Sequence, residues 1–127
     1  MEFVLDPDPC VVCRLKPTSP WPAPPAGSTL YSATLSPDEL SVVCHEGEEP
    51  KGAMVESGWR ALRIVGPLAF DLVGVIASIT VPLAAADIGV FVMSTFDTDL
   101  VLVPDSDLDV AIDVLDGAGH RIVPAPA

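Results

Sequence analysis

FVMSTFDTDLVLVP, residues 91–104, sets two apolar runs, Phe91 to Met93 and Leu100 to Val103, around a polar knot, STFDTD. Two apolar, β-prone runs joined by a short polar segment predict an antiparallel hairpin. A plain turn would be content with Asn-Gly. The carboxylates of Asp97 and Asp99 and the hydroxyls of Ser94, Thr95 and Thr98 therefore need a reason. Local turn capping is one, since Asp and Thr stabilise turns through hydrogen bonds to nearby backbone. A polar lip over a binding pocket is the other.

Reading outward from the hairpin, WRALRIV (59–65) predicts a strand that Gly66 and Pro67 stop. Asp71 is placed as a helix N-terminus for LVGVIASITVPLAAAD (72–87), an alanine-rich, almost wholly apolar helix suited to burial against a sheet. Pro82 should kink that helix or mark its last turns. Downstream, Leu108, Ala111, Ile112 and Leu115 fall on one helical face, with Asp107, Asp109, Asp113 and Asp116 off it. Asp105 or Ser106 can cap this second helix, and Gly117 can end it. HRIV (120–123) is a short strand before the PAPA tail. The order is strand, helix, strand, strand, helix, strand. The expected class is α+β, with two helices on one face of an antiparallel, ferredoxin-like sheet.

The first half is less regular. CVVCRL (10–15) reads as a strand, and KPTSPWPAPPAGST (16–29) is too rich in proline for a full helix. At an offset of 60 residues, YSATLSPDELSVV (31–43) aligns with FVMSTFDTDLVLV (91–103). Thr34 then meets Ser94, Glu39 meets Asp99, and Leu40 meets Leu100. The shared pattern of strand, hydroxyl-bearing turn, acid and strand predicts a degenerate internal duplication. Residues 1–57 form the degenerate unit and 58–127 the full one. SPDE (36–39) also matches a capping box with proline at the first helical position, enough for one helical turn.

Composition limits the function. The chain has 127 residues, half of them hydrophobic, enough for one compact domain or two very small ones. Its net charge of −12 argues against nucleic acid and against anionic membranes. The apolar run between Asp71 and Asp87 is too short and too interrupted to span a bilayer. MEFVLDPDP lacks the features of a signal peptide. Three cysteines cannot all pair within the chain, so a reducing, cytoplasmic setting is expected. Zinc at Cys10-x-x-Cys13 is disfavoured, because positions i and i+3 of a strand point to opposite faces. DPDP and DSDLD lack the glycine and distal glutamate of calcium loops. No GxSxG, HExxH or GxxxxGK[ST] occurs, and neither His45 nor His120 has an evident nucleophile to serve. A non-enzyme without a cofactor is expected.

GWRALRIVGPL, PLAAADI, STFDTD and LVP with an acidic helix start occur in order between residues 58 and about 120. In these motifs the chain resembles the ACT domains of the CASTOR-like group, tandem ACT-like proteins that include cytosolic arginine sensors and short bacterial members. TLSPDELSVVC resembles the first unit of those short members. The resemblance implies βαββαβ units that bind an amino acid or similar small metabolite at an interface between units. It also implies a regulatory role and a homodimer. By position it implicates Ala69, Phe70 and Asp71, with Leu72 and Gly74 beyond, and Thr95, Phe96, Thr98 and Asp99 from the hairpin. The sensors carry an acid where this chain has Leu72, an aromatic where it has Thr98, and a glycine where it has Ala69.

In such a site the helix N-terminus near Asp71 would receive a ligand carboxylate. Asp99 would receive an ammonium or guanidinium, and Phe96 would cover an aliphatic stem or a planar cation. The bland alternatives are turn chemistry for Asp97 and Asp99, an N-cap for Asp71, and a core plug for Phe96. The rival from another class is a structural interaction module without a ligand.

Overall fold

The computed structural model describes residues 1–124; residues 125–127 of the PAPA tail lie outside them. Eight strands and two helices follow the order β1 (Glu2–Leu5), β2 (Cys10–Leu15), β3 (Tyr31–Leu35), β4 (Leu40–His45), β5 (Met54–Ile64), α1 (Val75–Ala85), β6 (Phe91–Ser94), β7 (Asp99–Pro104), α2 (Leu108–Gly117) and β8 (Arg121–Val123). The chain divides into two compact units, one of Met1–Pro7 with Trp59 onward, the other of Asp8–Gly58.

The larger unit runs β5-α1-β6-β7-α2-β8, the ferredoxin-like order expected from the sequence. β5 and β6 both pair antiparallel with β7, in register Leu62↔Val101 and Phe91↔Leu102. β1 adds a strand that sequence periodicity did not reveal. It lies between β5, to which it is antiparallel (Phe3↔Ile64), and β8, to which it is parallel (Phe3↔Ile122). Phe3, Leu62, Ile64, Val101 and Val103 share one sheet face and form a single core with Ile79 and Leu83 of α1 and Ala111 and Leu115 of α2. All nine are fully buried. Each large apolar side chain buried this way contributes about 1.5–3 kcal/mol of transfer free energy.

Both helix ends differ from expectation in detail. α1 begins at Val75 and not at Asp71, because Gly74 adopts a left-handed φ of 84° and serves as N-cap without a side-chain cap. Three residues separate Asp71 from Val75, too many for its carboxylate to act as the N-cap. Pro82 lies inside α1, which continues through Ala85. A proline leaves the carbonyl four residues earlier without its helical donor. That carbonyl belongs to Ser78, and His120 Nε2 lies 2.9 Å from it. The carbonyl can only accept, so Nε2–H donates, and His120 replaces the bond that Pro82 removes. At the end of α2 the left-handed position is Gly119 (φ 94°), not Gly117, and the His120 N–H closes the motif on the Leu115 carbonyl at 2.9 Å. Asp105–Asp107 form a 3₁₀ turn ahead of α2, and no side chain caps it.

In the smaller unit β4 pairs antiparallel with both β2 (Cys13↔Val42) and β3 (Tyr31↔Cys44). Val11, Cys13, Val42 and Cys44 form its buried cluster, with Tyr31 and Ala33 against it. Cys13 and Cys44 pack together in this cluster. Burial, with Cys13 alongside, pushes the Cys44 thiol up to about 12, and burial also raises Cys13. Ser36–Glu39 is the turn of the β3–β4 hairpin, closed by Ser36 N–H to Glu39 O at 3.0 Å, and not a helix start. The equivalent bond in the β6–β7 hairpin runs from Thr95 N–H to Thr98 O at 2.8 Å. The two hairpins therefore correspond at an offset of 59 residues, not 60. The buried faces agree, because Val42 and Cys44 then match Val101 and Val103, whereas a slip of one residue would turn each strand over. Asp38 becomes the counterpart of Asp97, and Glu39 falls opposite Thr98 and not Asp99.

Candidate functional site

Within the larger unit, the segment from Leu68 to Ala77 and the hairpin from Ser94 to Asp99 line an open recess of about 450 Å³. Local chemistry fixes both walls. The Thr98 hydroxyl donates to the Ile64 carbonyl at 2.8 Å, which ties the hairpin to the end of β5. The Leu68 N–H donates to the Asp97 carbonyl at 2.7 Å. Gly66 stands so close that a Cβ there would lie 2.9 Å from that same carbonyl oxygen. The Thr95 hydroxyl lies 3.1 Å from the Thr98 carbonyl and 3.2 Å from the Thr98 amide. Both threonine hydroxyls thus have partners inside the fold, which is the turn chemistry the sequence allowed.

The carboxylates differ. Neither Asp97 nor Asp99 has a side-chain hydrogen bond or ion pair among the described residues. Asp99 is half-buried at the start of β7, opposite Ser94, and Asp97 is exposed at the hairpin tip. On the facing wall, the first bond of α1 runs from Ser78 N–H to Gly74 O at 3.0 Å. The N–H groups of Val75, Ile76 and Ala77 precede that ladder, and these residues line the recess. The first turn holds no acid. One wall therefore presents backbone donors at the positive end of a helix dipole, and the other presents free carboxylates.

Phe70 and Phe96 meet across the mouth with ring centroids 5.4 Å apart, tilted by 46°. They remain 81% and 82% exposed, so Phe96 is not a core plug. Of the residues singled out from the sequence, Ala69, Phe70, Thr95, Phe96, Thr98 and Asp99 line the recess, as do Leu72 and Gly74. Asp71 does not. It lies exposed in the turn that Leu72 N–H closes on Ala69 O at 3.0 Å. Sequence reasoning missed Leu68, Val75, Ile76, Ala77 and the role of Gly66. A glycine-proline pair after a strand reads as a stop, and nothing in it announces a close backbone approach.

The ACT domain family matches residues 54–116, and a second family, an N-terminal domain, matches residues 10–51. The human cytosolic arginine sensor for mTORC1 subunit 1 is 36% identical over 99 residues, covering 72% of this chain and 30% of that protein. The Bos taurus protein of the same name is 48% identical over 66 residues, 48% of this chain and 20% of that one. The chain thus spans about a third or less of the length of these relatives. A structural-genomics structure from Agrobacterium tumefaciens, 35% identical, superposes with a TM-score of 0.88 over 99% of this chain and 94% of its own. The aspartate kinase of Clostridium acetobutylicum is 12% identical, with a TM-score of 0.67 over 91% of this chain and 34% of its own, a likeness of fold alone.

Proposed function

The chain belongs to the ACT-domain family and is related to the cytosolic arginine sensors, and from that premise we propose that it is a regulatory protein that binds a free amino acid in the Leu68–Asp99 recess. The observation that carries this reading is the pairing of two unlike walls. A zwitterion brings a carboxylate and an ammonium a few ångströms apart. The N–H groups at the start of α1 suit the first, and Asp99 suits the second. Asp97, at the exposed tip, contributes less, because solvent screens it. The Phe70–Phe96 pair covers the bound molecule from above.

The recess is open, and Val73 beside it is 92% exposed. Together with Phe70 and Phe96 this gives a small apolar surface that a second copy of the chain would cover, enclosing the ligand in a homodimer. The same surface supports the second reading, an interaction module that dimerises without a ligand. Among the described residues no helix is long and apolar enough to cross a membrane. The relatives' name places those proteins in the cytosol, and we extend that setting to this chain.

Calorimetric titration of the twenty amino acids into the wild type, Asp99→Asn and Asp97→Asn tests the proposal. A charge-assisted hydrogen bond contributes about 1.5–3 kcal/mol, so Asp99→Asn should weaken binding by roughly tenfold or more. Asp97→Asn should change it less than threefold, roughly the effect of an exposed charge. Equal affinities for wild type and Asp99→Asn would remove Asp99 from the site.

A further inference from the structure

We infer that the side chain selected by this recess is apolar or aromatic, so that the ligand class is a neutral α-amino acid such as phenylalanine or leucine and not a cationic or acidic one. This rests on the amino-acid reading above and names what that site discriminates. Charge in the recess is placed on one side. Every titratable side chain that lines the recess is on the hairpin, at Asp97 and Asp99. The facing wall is built from Leu68, Ala69, Phe70, Leu72, Val75 and Ile76 and carries no charged side chain. The one acid in that segment, Asp71, is exposed and does not line the recess.

An α-amino acid held by its ammonium at Asp99 and its carboxylate at α1 has spent its charged end. What remains faces Leu72, Ile76 and the Phe70–Phe96 pair. A phenyl ring or branched alkyl group gains there by leaving water and by ring contact. A guanidinium or a second ammonium would give up hydration with no acid on that wall to compensate. The only further carboxylate, Asp97, is exposed and lies on the wall that already takes the ammonium. An aspartate or glutamate side chain would meet two carboxylates of its own sign if it turned to the hairpin, and apolar carbon if it did not. The Thr95 and Thr98 hydroxyls are engaged inside the fold, which leaves the exposed Ser94 hydroxyl as the one neutral polar side-chain group that the hairpin offers among the described lining residues.

Leu72 is the position where this selectivity can be reversed, because it is half exposed (51%) and its replacement leaves the core untouched. The test is calorimetric titration of the full chain, wild type and Leu72→Glu, with L-phenylalanine, L-leucine, L-arginine and L-aspartate. Circular dichroism verifies that the variant is folded. Phenylalanine and leucine should bind the wild type at least tenfold more tightly than arginine or aspartate. Leu72→Glu should lower the phenylalanine-to-arginine affinity ratio by about tenfold or more. Arginine or aspartate binding the wild type as tightly as phenylalanine would overturn the side-chain assignment and leave the amino-acid reading standing. An unchanged ratio in a folded Leu72→Glu would overturn the role of Leu72. Binding of none of the twenty amino acids would overturn the underlying reading together with this one.

Discussion

Replacing His120 by phenylalanine should destabilise the larger unit, and replacing Pro82 by alanine should remove much of that cost. His120 is buried, and its ring meets Phe3 edge-on with centroids 5.6 Å apart. A phenyl ring preserves that contact but deletes both the donor that satisfies the Ser78 carbonyl at 2.9 Å and the Nδ1 that accepts from the Met1 ammonium at 2.9 Å, a second loss that Pro82→Ala does not restore. A polar group left without its partner costs about 1–3 kcal/mol, and this carbonyl is only partly buried, so about 1–2 kcal/mol is the estimate. The carbonyl needs His120 because Pro82 has no N–H to offer it. Pro82→Ala restores a backbone donor four residues on, in a helix that already runs through this position. The four proteins form a double-mutant cycle whose interaction term should be about 1 kcal/mol in favour of the double variant. Urea denaturation followed by far-ultraviolet circular dichroism reads it, because both helices among the described residues belong to the larger unit. Additive costs, agreeing within about 0.5 kcal/mol, would show that the Ser78 carbonyl does not link the two residues.

Gly66→Ala should lower stability by about 1–3 kcal/mol, since its Cβ would sit 2.9 Å from the Asp97 carbonyl oxygen, and should weaken ligand binding by displacing the hairpin; thermal denaturation and titration check the two effects. Stability should also fall in alkali. Cys44 and Cys13 hold their protons more tightly when folded than their ordinary value of 9.0, and Tyr31 more tightly than 10.0. Above pH 9.0 the unfolded thiols lose protons that the folded ones keep, so this contribution is complete below that pH and declines toward about 12. Denaturant midpoints at intervals from pH 8 to 11 should drop, and Cys44→Ala should flatten the drop.

Periodicity made the larger unit legible. Leu108, Ala111 and Leu115 predicted the buried face of α2, and the apolar, β-prone runs on either side of STFDTD predicted β6, β7 and the turn between them. What periodicity could not supply was long-range. β1 has four residues before a DPDP stop, too short for any pattern, and it is a strand because β5 and β8 flank it. The start of α1 depended on Gly74 taking a left-handed conformation, which overrode the better capping chemistry of Asp71. Pro82 stands in the last turn of α1, as its local helical cost implied, but its remedy, His120, is 42 residues away from the carbonyl it serves and so was not legible. The likeness of the two hairpins was legible, but its offset was one residue out, which set Glu39 against Asp99 where the turn hydrogen bonds set Asp38 against Asp97, since low identity leaves register to those bonds. At the site, the sequence indicated Asp99 and Phe96. It did not reveal that Thr95 and Thr98 spend their hydroxyls on the hairpin itself.

The thermal midpoint of the full chain, taken against each of the twenty amino acids in turn, decides whether the recess binds a ligand. A ligand present at a hundredfold excess over its dissociation constant stabilises the folded state by about 2.7 kcal/mol. For a domain of this size that raises the midpoint by several degrees, roughly 5–10 °C. Such a shift is expected for one or a few neutral apolar amino acids, as is its loss in Asp99→Asn. An unmoved midpoint across the whole panel at millimolar concentration would contradict it, and would make the Leu68–Asp99 recess part of an interaction surface with STFDTD as its turn.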